Sequence, residues 1–184
     1  MFSDSQKETL LNLAKASIKH GLETGRPKPV NPEDYDPALR QQRACFVTLQ
    51  INNELRGCIG SLEASRPLVE DVADNAFAAA FRDPRFPRLT DTEYEYLQYH
   101  ISVLDKPEPM SFSSEQDLLH QIRPGIDGLV LHDKFNKGTF LPSVWESLPE
   151  PEDFLRHLKM KAGLSPGYWS DTIQVERYTV EDIE

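Results

Sequence analysis

The sequence predicts an α+β fold, a mainly antiparallel sheet with flanking helices. Three features carry that expectation. Between Arg66 and Asp83 the residues Val69, Val72, Ala73, Ala76, Phe77 and Ala80 recur at helical spacing and make one apolar face. ACFVTLQI and ELRGCIGS read as strands on either side of Asn52-Asn53, a pair that tolerates the positive φ of a tight hairpin turn. LQYHISVLD is a further strand, and TIQVERYTV alternates apolar and polar residues as a last one.

The remaining elements follow in order. SDSQKETLLNLAKASIKHGLETG is an amphipathic helix that Ser3 or Asp4 can cap and Gly21 or Gly25 can end. Its predicted stripe is Leu11, Ala14, Ile18 and Leu22. RPKPVNPEDYDPALR holds four prolines, which forbid regular structure. Its length from Arg26 to Arg40 marks it as a candidate contact surface. Pro67 suits the first turn of the next helix and Pro84 stops it, after which DPRFPRLTDTEYE is irregular. SEQDLLHQI is a short helix ended by Pro124-Gly125, DGLVLHD a strand, and KFNKGTFLP a turn or hairpin. VWESLP is a helical turn, PEDFLRHLKMKAGL a helix beginning at proline, and SPGYWS a loop.

Composition narrows the function. The 184 residues fit one domain with an ordinary core. A net charge of −10 repels phosphate backbones, and the longest basic cluster, His157 to Lys161, is short, so no direct nucleic-acid partner is expected. No apolar run approaches the roughly 20 residues of a membrane helix. The polar, acidic start MFSDSQKETLL is unlike a secretory signal, which predicts a cytoplasmic protein without a membrane partner. Two cysteines cannot alone build a four-ligand zinc site or hold an iron–sulfur cluster, so no metal or cofactor is expected. HExxH, paired CxxC, GxGxxG, GxxxxGK[ST] and GxSxG are all absent.

One cysteine, Cys58, stands in LRGCIG between two glycines. With Asn52-Asn53 as a two-residue loop, Val47 faces Cys58, Leu49 faces Arg56 and Cys45 faces Gly60. Alternation then puts Cys45, Val47, Leu49, Arg56 and Cys58 on one face. The two sulfurs would be diagonal neighbours with Cα atoms roughly 7–8 Å apart, too far for an unstrained disulfide, so both are predicted free. Arg56 would share the face of Cys58, where a fixed positive charge favours a thiolate. Gly57 and Gly60 weaken a strand unless a bulge, a bend or a close neighbour requires them. Either Cys58 is a small buried hydrophobe with Arg56 paired to an acid, or the segment is a pocket for an anion or electrophile.

Other candidates carry the same two alternatives. Arg82 and Arg85 flank Asp83-Pro84, where Asp83 caps or pairs with them, or the arginines clamp a carboxylate or phosphate. His100, on a strand with Gln98 and Ser102, is solvent-facing, or serves as a base for Cys58 if their strands are neighbours. His132-Asp133 is a weak metal or base signal. His20, His120 and His157 occupy polar helical positions. Phe140, Leu141, Trp145 and Leu148 form an apolar cluster, with Trp145 either core or at the rim of a cleft.

At LRGCIG the chain resembles the AMME-syndrome candidate-region (AMMECR) family, whose bacterial and archaeal members are called AmmeMemoRadiSam system protein A. RGCIG, LVEDVADNAFAAAFRDPRFPRLT, ISVLDKPEPM, DGLVL, GTFLPSVWESLP, the EDFL…KAGL segment and Trp169 stand in family order along essentially the whole chain. The resemblance implies a single AMMECR domain of a larger and a smaller subdomain, with RGCIG near the cleft between them. It implies association with a Memo-like protein and a radical S-adenosylmethionine enzyme, and no established reaction. Carried over by motif, Arg56, Gly57, Cys58, Ile59 and Gly60 are the candidate site, and Arg82, Asp83, Pro84, Arg85 and Phe86 a second set. His100 departs from the acidic residue expected in relatives, which counts against a general catalytic role for it.

Two functions follow as expectations. One is a non-catalytic binding or accessory component that works with those partners, or holds a small-molecule or peptide ligand, through the RGCIG cleft. The other is an enzyme that uses Cys58 as nucleophile or covalent carrier, with Arg56 favouring the thiolate or an oxyanion.

Overall fold

Ser3 opens the first helix with a reciprocal cap: its hydroxyl accepts from the Gln6 N–H, and the Gln6 side chain accepts from the Ser3 N–H at 2.9 Å. This is helix α1 (Asp4–Thr24), closed by Gly25 at φ 73°. The computed structural model describes residues 1–184, which divide into two units, Met1–Leu104 with Glu181–Glu184, and Asp105–Val180.

In the first unit the buried face of α1 is Leu10, Leu13, Ala14, Ser17, Ile18 and Gly21, while Leu11 and Leu22 are only half-buried. The face lies off the expected stripe because two small residues belong to it. The Ser17 hydroxyl donates to the Ala73 carbonyl at 2.7 Å, and the Phe77 and Phe81 rings cover Gly21. The proline-rich stretch that follows forms two short 3-10 turns, Pro32–Asp34 and Pro37–Arg40, whose N-caps are Asn31 and Asp36. Leu39 is buried, and Arg40 Nε donates to the Tyr35 carbonyl, so the stretch is tied down.

Strands β1 (Cys45–Ile51) and β2 (Glu54–Gly60) flank Asn52 and Asn53, both at positive φ as the hairpin turn requires. Helix α2 (Leu68–Phe81) buries all six of the residues that the spacing selects. The segment expected to be irregular contains one short helix, α3 (Asp91–Tyr94), which Thr90 and Glu93 cap reciprocally. Strand β3 (Gln98–Leu104) lies beside β1, and β8 (Val180–Ile183) completes a sheet of order β2-β1-β3-β8. Cys45, Val47, Leu49, Ile101 and Val103 on the inner face join α1 and α2 in one core.

The second unit holds β4 (Glu108–Pro109), α4 (Glu115–Gln121), β5 (Gly128–Asp133), β6 (Asn136–Phe140), α5 (Pro151–Lys161) and β7 (Gln174–Tyr178). Its sheet order is β4-β7-β5-β6. Trp145 is core: it stacks on Phe154 at 3.7 Å and its indole N–H donates to the Asp127 carbonyl. The alternating run at the C-terminus is two strands. β7 and β8 belong to different sheets and break at Thr179, which periodicity alone does not reveal. No helix is long and apolar enough to cross a membrane.

Candidate functional site

The hairpin begins as its turn dictates, with Ile51 opposite Glu54 and Gln50 opposite Leu55. A bulge then leaves Arg56 without a partner and shifts the register by one residue, so that Leu49 faces Gly57, Thr48 faces Cys58 and Val47 faces Ile59. Such a shift turns every later side chain to the other face. The expected pairing of Val47 with Cys58 and Leu49 with Arg56 is therefore corrected: Cys58 shares the outer face with Thr48, while Cys45 is sealed in the core. Both thiols are free, as expected, but because they lie on opposite faces. Burial pushes the Cys45 thiol well up.

Sterics explain Gly57. A methyl group there would lie 2.1 Å from the Ala79 carbonyl oxygen, so α2 lies directly on the strand. At Gly60 a methyl would meet the Phe46 ring. Both glycines serve close packing, and the bulge sits beside the first of them.

Arg56 does not turn to the sulfur. Arg56 is 7% exposed, and its guanidinium binds the Glu93 carboxylate through Nε (2.7 Å) and Nη2 (3.2 Å), with Nη2 also donating to the Pro87 carbonyl at 2.9 Å. Nη1 is buried without a hydrogen-bond partner, and the Phe86 ring lies 5.8 Å from the guanidinium carbon. The bulge directs the side chain toward the irregular segment. Glu93 also accepts from the Thr90 N–H, so one carboxylate ties α3 to β2. Arg56, above all, holds this carboxyl down to about 2 from an ordinary 4.5.

That shift sets an expected acid response. The folded value lies below the unfolded one, so the stabilisation is full above pH 4.5 and is lost as the pH falls toward 2. Glu93→Gln should cost about 1 kcal/mol at neutral pH, given partial solvent screening. The gap between the two proteins in urea midpoint should close over the same acid range; a gap that stays constant with pH would contradict the assignment.

The guanidinium beside Cys58 belongs to Arg85, whose Nη2 reaches the Cys58 carbonyl at 3.4 Å. Asp83 binds them together. Its carboxylate accepts from the Cys58 N–H at 2.9 Å and from Arg85 Nε and Nη2 at 3.0 and 2.7 Å. Arg85, first by its side-chain hydrogen bond, holds this buried carboxyl far below the usual range. Asp83 thus both caps and pairs, the first of the two alternatives raised by the sequence. Arg82 stands apart, its guanidinium 4.9 Å from the Phe77 ring centroid.

Cys58 is half-buried, and the Thr48 hydroxyl donates to its sulfur at 3.2 Å. Thr48 also faces His100 on its other side, so Cys58, Thr48 and His100 form one row across the sheet. Cys58 and His100 lie two strand spacings apart, about 10 Å. The His100 ring nitrogens are engaged by Gln50 at 3.1 Å and Glu184 at 3.2 Å. Ile59 packs against the inner core and does not share the outer row. Sequence reasoning missed Thr48, which only the true register exposes, and Glu93, which the TDTE capping pattern could have signalled. No group of three or more His, Cys, Asp or Glu side chains is placed to hold a metal ion.

Two antiparallel sheets with their helices, and a cysteine-bearing hairpin tied to an Arg-Asp-Pro-Arg loop, define a distinct class of α+β protein. The AMMECR1 family model matches residues 11–183, and the chain belongs to that family. It is 36% identical over 174 residues to a protein of Methanothermobacter thermautotrophicus, covering 92% of this chain and 88% of that one. A Thermococcus gammatolerans protein is 37% identical, with 98% and 91% covered. The crystal structure of an uncharacterized protein from Pyrococcus horikoshii matches with a TM-score of 0.84 at 34% identity, over 98% of this chain and 92% of that one.

Proposed function

We propose that this AMMECR1-family chain is a binding or accessory component that presents the outer row around Cys58 to a partner, in company with a Memo-like protein and a radical S-adenosylmethionine enzyme. The hydrogen bonding of Cys58 carries the proposal. Its N–H, carbonyl and sulfur are engaged by Asp83, Arg85 and Thr48, and the sulfur's partner is a hydroxyl that donates to it. A general base for a thiol must accept its proton, and His100 is one strand too far for that. A half-buried row held this rigidly suits recognition. The test is co-purification of the tagged chain with the two partners from one source. Thr48→Arg and Cys58→Arg, which add bulk and charge to the outer row, should each lower recovery at least about tenfold. Unchanged recovery with both variants folded would defeat the proposal.

Chemistry at Cys58 is the alternative, favoured by the Arg85 guanidinium and its electrostatic interaction with the thiol. Arg85 then takes the part that the sequence assigns to Arg56. Iodoacetamide separates the two: an activated Cys58 reacts faster than free cysteine and slows in Arg85→Gln. Modification as slow as that of buried Cys45 removes the alternative.

A further inference from the structure

The second unit contains a groove of about 790 Å³, within the size range of small-molecule sites. One wall is the segment from Pro109 to Ser114, the other the segment from Trp169 to Glu176, and His132 of β5 also lines it. Its apolar side is Met110, Phe112 and Trp169, the two rings tilted at 57° with centroids 5.7 Å apart.

Trp169 is fixed before any ligand arrives. Buried Asp133 accepts from the Tyr168 hydroxyl and from the Thr172 hydroxyl, each at 2.5 Å, which pins the loop on both sides of the indole. Lys159, 1% exposed, lies 5.6 Å from the ring centroid, and its charge is matched by Glu115. The indole already accepts one cation on its π system, as its quadrupole favours.

The charged side chains of the groove are acidic. Glu176 and Asp171 line it, with no lysine or arginine among the lining residues. Glu176 is oriented by His132 at 2.9 Å, and the Asp171 carboxylate forms no ion pair. An anionic ligand would meet two carboxylates, and the one ammonium beside the aromatic wall, that of Lys159, is already matched by Glu115, whereas the chain's net charge of −10 raises the local concentration of cations. We infer that this groove binds a small organic cation, an ammonium with an apolar body, between the rings of Trp169 and Phe112 and the carboxylates of Glu176 and Asp171. The site is independent of the role proposed for Cys58.

The test uses the full chain and two probes of equal shape, choline and its neutral carbon isostere 3,3-dimethyl-1-butanol. The indole N–H signals of the two tryptophans are followed by NMR. Trp145, buried and bonded to the Asp127 carbonyl, is the internal reference for folding. Choline should shift the Trp169 signal saturably and leave Trp145 unmoved, with the isostere binding at least about tenfold more weakly. Asp171→Asn and Glu176→Gln should each weaken choline about three- to tenfold. Equal binding of the two probes overturns the inference, as does choline binding that survives both substitutions with the Trp145 signal native. An unmoved Trp169 signal at saturating choline overturns it outright.

Discussion

Gly57→Ala should destabilise the first unit by at least about 3 kcal/mol, a fall in melting temperature of roughly 6–12 °C. The reason is the 2.1 Å approach that a methyl would make to the Ala79 carbonyl oxygen. That atom is α2 backbone, so no rotamer change relieves the clash. α2 must lift from β2, and the buried face of Val72, Ala76 and Ala80 lifts with it. Unfolded-chain entropy works the other way, because alanine at a compatible strand position gains about 0.4–1 kcal/mol over glycine. The clash outweighs that gain, so the substitution destabilises. Gly167→Ala is the control: nothing lies within 4 Å of its added methyl, and its melting temperature should stay within about 1 °C of wild type. If Gly57→Ala melts with the control, the close α2–β2 contact is refuted and the glycine needs another explanation.

The elements were legible where one period dominates. All six α2 residues chosen by spacing are buried, and Asn52-Asn53 identifies the turn because both residues must adopt positive φ. The site was less legible, for one physical reason. A bulge adds a residue to one strand without any change in the pattern of apolar and polar residues nearby, so alternation counted from the turn carries Cys58 to the wrong face. The same bulge severs the apparent partnership of Arg56 and Cys58, which are two residues apart in sequence. Glycine at position 57 hints at it, but a glycine also marks close packing, and here it marks both. By contrast, the Asp83–Arg85 pair is local in sequence and was legible as a cap or salt bridge. The groove of the second unit was illegible because its walls are separated by more than fifty residues, including two strands and two α-helices.

Asp83→Ala should cost about 2–4 kcal/mol and should also make Cys58 easier to alkylate. β2 is an edge strand of the first sheet, and the Cys58 N–H points to its open side, where Asp83 accepts it at 2.9 Å. Removing the carboxylate leaves that donor, the Arg85 N–H and the Arg85 guanidinium without their acceptor. Arg85 is more than half exposed and can find water, so most of the loss arises at the strand edge. Asp83→Asn retains one oxygen acceptor and should recover part of the stability without the charge. The pH dependence separates the electrostatic part. Asp83 titrates below its unfolded value of 3.8, so its contribution is full above that pH and declines as the solution is made more acidic. Wild type and Asp83→Asn should therefore converge in stability on acidification, while Asp83→Ala stays below both. Were Asp83→Ala as stable as wild type, the Arg-Asp-Pro-Arg loop would not be guarding the strand, and the rigidity on which the proposed recognition through Cys58 depends would have no source.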